Sequence, residues 1–173
     1  MRTAVAAISI AFGLALPAGS GAAEDESHLG GFAGTWRGGG TARPNLHFPA
    51  WRVSCKLASA RGANSVRLFG LCRLKLLPFI SKKIDARLNH DPGSDSYSGT
   101  YCVDDGPPAI LSGRVTGETL RLDMTWPHPV NGHLKSIIRI VNDGRGRFTL
   151  TTIDPLGLDG TPITTSDLAF TRE

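Results

Sequence analysis

Thr119-Leu120-Arg121-Leu122-Asp123-Met124-Thr125-Trp126 alternates polar and apolar residues without a break. A period of two puts Leu120, Leu122, Met124 and Trp126 on one face of an extended chain, and Thr119, Arg121, Asp123 and Thr125 on the other. This stretch reads as a β-strand with one buried face.

The same period recurs on both sides of it. Trp51, Val53, Cys55 and Leu57 alternate with Arg52, Ser54 and Lys56. Val66, Leu68, Gly70, Cys72 and Leu74 share a face against Arg67, Arg73 and Lys75, with Phe69 and Leu71 also on the outer side. Ile84, Ala86 and Leu88 alternate with Lys83, Asp85 and Arg87; Tyr97, Gly99, Tyr101 and Val103 alternate with Ser98, Thr100 and Cys102. Leu134, Ile138 and Ile140, then Phe148 and Leu150, then Leu168 and Phe170 continue the pattern. Turn residues separate these runs, notably Gly62-Ala63-Asn64, Asp91-Pro92-Gly93, Asn131-Gly132 and Asp143-Gly144, and Asn-Gly and Asp-Gly are strong hairpin signals. With Gly34–Arg43 as the first strand, about nine or ten strands form an all-β, antiparallel up-and-down meander. Such a meander buries its apolar faces by closing into a barrel, or alternatively by folding into a two-sheet sandwich.

The N-terminus reads as a secretory signal peptide over residues 1–23. Arg2 supplies the positive charge, Ala4 to Leu16 the apolar run, and Ala18 to Ala23 the small residues a signal peptidase selects. That run falls short of the roughly 20 residues of a membrane-spanning helix. The expectation is a periplasmic or secreted product with a single domain over residues 24–173 and no transmembrane segment. Export implies an oxidising compartment. A hairpin centred between Ala63 and Asn64 sets Cys55 directly opposite Cys72, within reach of a disulfide; two buried thiols are the alternative. Cys102 lies on the other phase and is expected to be unpaired.

The formal charge of +4 is unevenly spread. Between Arg52 and Arg87 stand nine basic residues and one acid, a local charge of +8. Arg52, Lys56, Arg67, Arg73, Lys75, Lys83 and Arg87 all fall on outward phases. They would form a positive face, read either as a solvated surface or as a site for an anionic envelope component. An exported protein with no aromatic residues interleaved on that face is not read as a nucleic-acid binder.

Gly34-Thr35-Trp36 at the start of the first strand resembles the G-x-W signature of the calycin superfamily, the lipocalins and their barrel relatives. That resemblance implies a closed barrel in which an Arg near the end of the last strand, here Arg172, packs across Trp36. The chain also resembles a group of small exported alphaproteobacterial proteins of unknown function. The shared stretches are Trp36-Arg37-Gly38-Gly39-Gly40, Val53-Ser54-Cys55, Cys72 and Gly113-Arg114-Val115-Thr116-Gly117; Cys102 departs from that pattern.

No nucleophile elbow, zinc-protease helix, phosphate loop or dinucleotide fingerprint occurs. His128 and His133 flank Pro127–Asn131 without a third ligand, and Asp154 and Asp159 read as turn formers. No metal, cofactor or catalytic residue is assigned. The leading expectation is an exported, non-enzymatic binding protein. Its barrel would hold a small apolar or amphiphilic ligand among the inward aromatics Trp36, Trp51, Tyr97, Tyr101 and Trp126. The alternative is an envelope-associated interaction protein or protease inhibitor acting through its surface loops or its basic face.

Overall fold

The computed structural model describes residues 28–156 and 161–173. The export signal read at residues 1–23, and Asp159, lie outside the described residues. A 3-10 turn (His28–Phe32) leads into ten strands: β1 (Gly34–Ala42), β2 (Trp51–Arg61), β3 (Ser65–Leu74), β4 (Ser81–Asp91), β5 (Ser96–Val103), β6 (Ala109–Thr116), β7 (Thr119–Val130), β8 (His133–Asn142), β9 (Arg147–Leu156) and β10 (Thr161–Arg172). Each strand pairs antiparallel with the next, and β1 also pairs with β10, so the sheet closes into a barrel. Closure satisfies both edge strands, and it excludes the two-sheet sandwich.

The β2–β3 register is centred as the sequence implies, with Cys55 opposite Cys72, and the two form a disulfide. Cys102 is a half-buried free thiol. Three segments differ from expectation. β6 shows no clear alternation in sequence, because its inward phase is Ala109, Leu111, Gly113 and Val115 while Ile110 faces out. At Gly113 a Cβ would lie 1.9 Å from the Arg121 carbonyl oxygen of β7, so that inward position admits glycine alone. Pro127–Asn131 is not a five-residue turn. Strand β7 runs to Val130, and the reversal is made by Asn131 and Gly132 at φ of 53° and 82°. Asp154, read as a turn former, sits inside β9 opposite Ile163 of β10.

One end of the barrel is plugged. Leu29 and Phe32 of the 3-10 turn are buried there. The Phe32 ring meets Phe148 edge-on at 5.3 Å, Trp36 meets Phe148 at 4.8 Å, and Phe148 stacks on Phe170 at 4.6 Å. The Trp36 indole donates to the Phe32 carbonyl at 3.1 Å. Arg172 stands opposite Trp36 across the β1–β10 closure. Its guanidinium lies 5.0 Å from the indole centroid and donates to the Gly31 carbonyl at 2.8 Å. One arginine thus ties the last strand, the first strand and the plug together.

Candidate functional site: the barrel cavity

Beyond the plug, inward side chains do not fill the barrel. A cavity of about 520 Å³ extends from Phe32 to the far rim, where Pro44, Ile80, Lys82 and Val130 are exposed. That volume lies within the range of small-molecule sites, about 300–1,000 Å³. Most of its wall is apolar, including Val53, Leu57 and Leu74 on one side and Ile138, Ile140 and Leu150 on the other. Alternation explains the wall: each strand turns every second residue inward, and on β2, β3, β4 and β8 those residues are chiefly aliphatic.

The aromatics named from the sequence divide between the two halves of the barrel. Trp51, Tyr101 and Trp126 line the cavity. Trp51 meets Phe48 at the rim, with ring centroids 5.9 Å apart. Trp126 meets Tyr101 edge-on at 6.0 Å and donates to the Ser136 hydroxyl at 2.9 Å. Trp36 and Tyr97 are buried at the plugged end and do not line the cavity. For those two, the assignment as ligand contacts is replaced by packing of the closed end. Burial, with the Asp104 and Cys102 charges adding, pushes the Tyr101 hydroxyl up to about 12.

Near the rim the wall becomes polar. Thr152 and Asp154 of β9, Thr165 and Ser166 of β10, Asn131 and Arg43 all line the cavity. A bulge between Thr164 and Ser166 brings two successive residues of β10 to this side. Asp154 is 4% exposed, and one carboxylate oxygen accepts from the Asn131 amide at 3.0 Å. The other oxygen has no partner among the described residues. Arg43 sits just past β1, its backbone N–H donating to the Thr165 carbonyl at 2.7 Å. Its guanidinium donates to the Phe48 carbonyl at 2.7 Å, whereas its Nε is buried with no partner among the described residues. This cluster was missed in the sequence, although a signal existed: counting on by twos from Phe148 and Leu150 turns Thr152 and Asp154 inward.

The basic face divides as well. Arg52, Lys56, Arg67, Arg73, Lys75, Lys83 and Arg87 are all exposed. Asp85 takes Arg67 as an ion pair and lies 3.7 Å from Arg87. The β5–β6 loop supplies two further acids, Asp104 to Lys82 and Asp105 to Lys83. The Arg67 hydrogen bond holds the Asp85 carboxyl below its usual range, and the Lys82 hydrogen bond does the same for Asp104. Arg52, Lys56, Arg73 and Lys75 form no ion pair among the described residues. No cluster of three His, Cys, Asp or Glu side chains forms among the described residues either.

No protein-family model matches the chain, and a search of curated proteins finds none that is similar. Among solved structures, the crystal structure of Rv2717c from M. tuberculosis superposes with a TM-score of 0.59 at 14% identity, covering 87% of this chain and 98% of that one. The likeness is one of fold, an antiparallel barrel spanning nearly the whole of that chain.

Proposed function

We propose that this chain is an exported, non-enzymatic binding protein that holds a small amphiphilic molecule inside a calycin-like barrel. The cavity carries this reading: about 520 Å³ of largely apolar space, ending in a polar strip with two unpartnered buried atoms. An apolar body would lie against Leu57, Ile138 and Ile140. A polar head would donate to Asp154 and accept from Arg43, which suits a zwitterion, or a hydroxyl or amide group. Arg172 over Trp36 supports the calycin affinity. The bridge between the Val53-Ser54-Cys55 strand and Cys72 supports both export and kinship with the small exported alphaproteobacterial proteins. No helix among the described residues is long and apolar enough to cross a membrane.

The test is titration with an environment-sensitive amphiphilic dye. Wild type should take up one dye per chain with enhanced emission. Ala86→Phe, which fills the middle of the cavity, should lose that signal while remaining folded. Undiminished dye binding by the filled variant would place the dye elsewhere and refute the internal site.

A further inference from the structure

The loop between β3 and β4 carries Leu76-Leu77-Pro78-Phe79-Ile80, five consecutive apolar residues. Leu76 is 92% exposed and Phe79 80%, and Leu77 and Ile80 are also exposed. Other exposed apolar side chains stand singly, such as Ile110 at 56% and Leu134 at 49%, whereas this run is contiguous at a loop tip, and a contiguous exposed apolar patch marks an interaction site. The loop is shaped by its own backbone. Leu74 N–H donates to the Ile80 carbonyl at 3.1 Å, and Ile80 N–H donates to the Leu77 carbonyl at 2.9 Å. These bonds hold the hairpin closed at its root and leave Leu76 and Phe79 at the tip.

Cations lie on one side of that tip, along β2 and β3. Arg73 and Lys75 lead into it, and Lys75 N–H donates to the Arg52 carbonyl at 2.9 Å, setting Arg52 alongside. Lys56 lies diagonally across the β2–β3 ladder from Arg73. Arg52, Lys56, Arg73 and Lys75 are the exposed members of the basic face that no described acid engages.

We propose that this hairpin docks on the surface of an anionic lipid bilayer, with Leu76 and Phe79 among the acyl chains and the four free cations on the lipid phosphates. Apolar side chains at a tip with long basic ones set back along the adjoining strands match the two layers of a membrane interface, acyl boundary below and phosphate above. A polysaccharide would meet the cations and leave the tip in water. A second copy of the chain would bring one basic face against another. Ile80 and Lys82 also line the cavity, so docking would bring the cavity's rim to the lipid surface. The proposal does not depend on the internal ligand.

The test is flotation of the exported protein with vesicles of phosphatidylcholine, alone or doped with phosphatidylglycerol, across a salt series. Wild type should float with the doped vesicles and not with the neutral ones. Both variants change exposed residues, so each should keep its disulfide and its melting temperature. Replacing Arg52, Lys56, Arg73 and Lys75 with Gln should lower partitioning by roughly fivefold for each charge removed and flatten its salt dependence. Leu76→Ser with Phe79→Ser should lower partitioning at least tenfold at every salt concentration, yet leave retention on a soluble polyanion such as heparin unchanged. Failure of wild type to float would overturn the proposal. So would equal flotation of the Leu76→Ser/Phe79→Ser variant, which would mean a generic polyanion face. Self-association that disappears in that variant, without flotation, would assign the tip to a second copy and overturn the lipid reading.

Discussion

A carboxylate buried as deeply as Asp154 is ordinarily paired, because withdrawing an ion from water costs more than one neutral hydrogen bond returns. Asp154 accepts one hydrogen bond, from Asn131, and its other oxygen has no partner among the described residues. Asp154→Asn keeps a hydrogen bond to Asn131 and removes the charge. It should leave folding stability little changed while weakening amphiphile binding about tenfold. Thermal melts and dye titrations on one preparation measure both. A variant that is less stable and binds equally well would remove Asp154 from the site.

Tyr101 gives a pH signature. An unfolded tyrosine ionises near pH 10, whereas burial pushes Tyr101 in the fold up to about 12. Below pH 10 both states hold the proton, so stability is insensitive to this group. Between those values the unfolded chain binds fewer protons, and stability falls as pH rises. Tyr101→Phe should lessen that fall in alkaline denaturation curves. Ionisation of the Tyr101 hydroxyl at the ordinary tyrosine value in the folded protein would contradict its burial beside Trp126.

Among the elements, the β2–β3 hairpin is the one most completely determined by local sequence. A turn at Ala63-Asn64 and two strands of alternating sequence, broken only by the outward Phe69 and Leu71, favour a single register, and that register places Cys55 on Cys72. On the chain-entropy model the bridge, across 17 residues, contributes about 3 kcal/mol. Cys55→Ser with Cys72→Ser should lose about that much in denaturant titrations. Alkylation of the folded, oxidised protein should mark Cys102 alone, slowly, since that thiol is half-buried. Label on Cys55 or Cys72 would show that the bridge is absent. Other elements were less legible for identifiable reasons. In β6 the close approach of β7 demands glycine at an inward position, which erases the apolar signal there. In β9 the inward residues past Leu150 are polar because they face the cavity's polar end. A pattern that equates inward with apolar misassigns Asp154 for that reason. The basic face was legible as charge. Its partial neutralisation was not, because Asp104 and Asp105 come from a loop far along the chain.

At the scale of the molecule, the meander's short turns and the closure between β1 and β10 were both readable, the latter through the resemblance that pairs Trp36 with Arg172. Alternation says which side chains point inward but not how much space they leave. Whether ten inward faces fill a barrel depends on how the strands curl and where the plug sits. Here the 3-10 turn and the cluster of Trp36, Phe148 and Phe170 fill one end, which leaves Trp51, Tyr101 and Trp126 lining a cavity at the other. An internal ligand should survive native purification, and native mass spectrometry of the protein taken from the cells that make it reads its presence. A discrete mass excess of one small molecule per chain is expected, lost on unfolding and absent from Ala86→Phe. Folded, disulfide-bonded protein at the bare chain mass, with no uptake when envelope lipid extract is added, would contradict it.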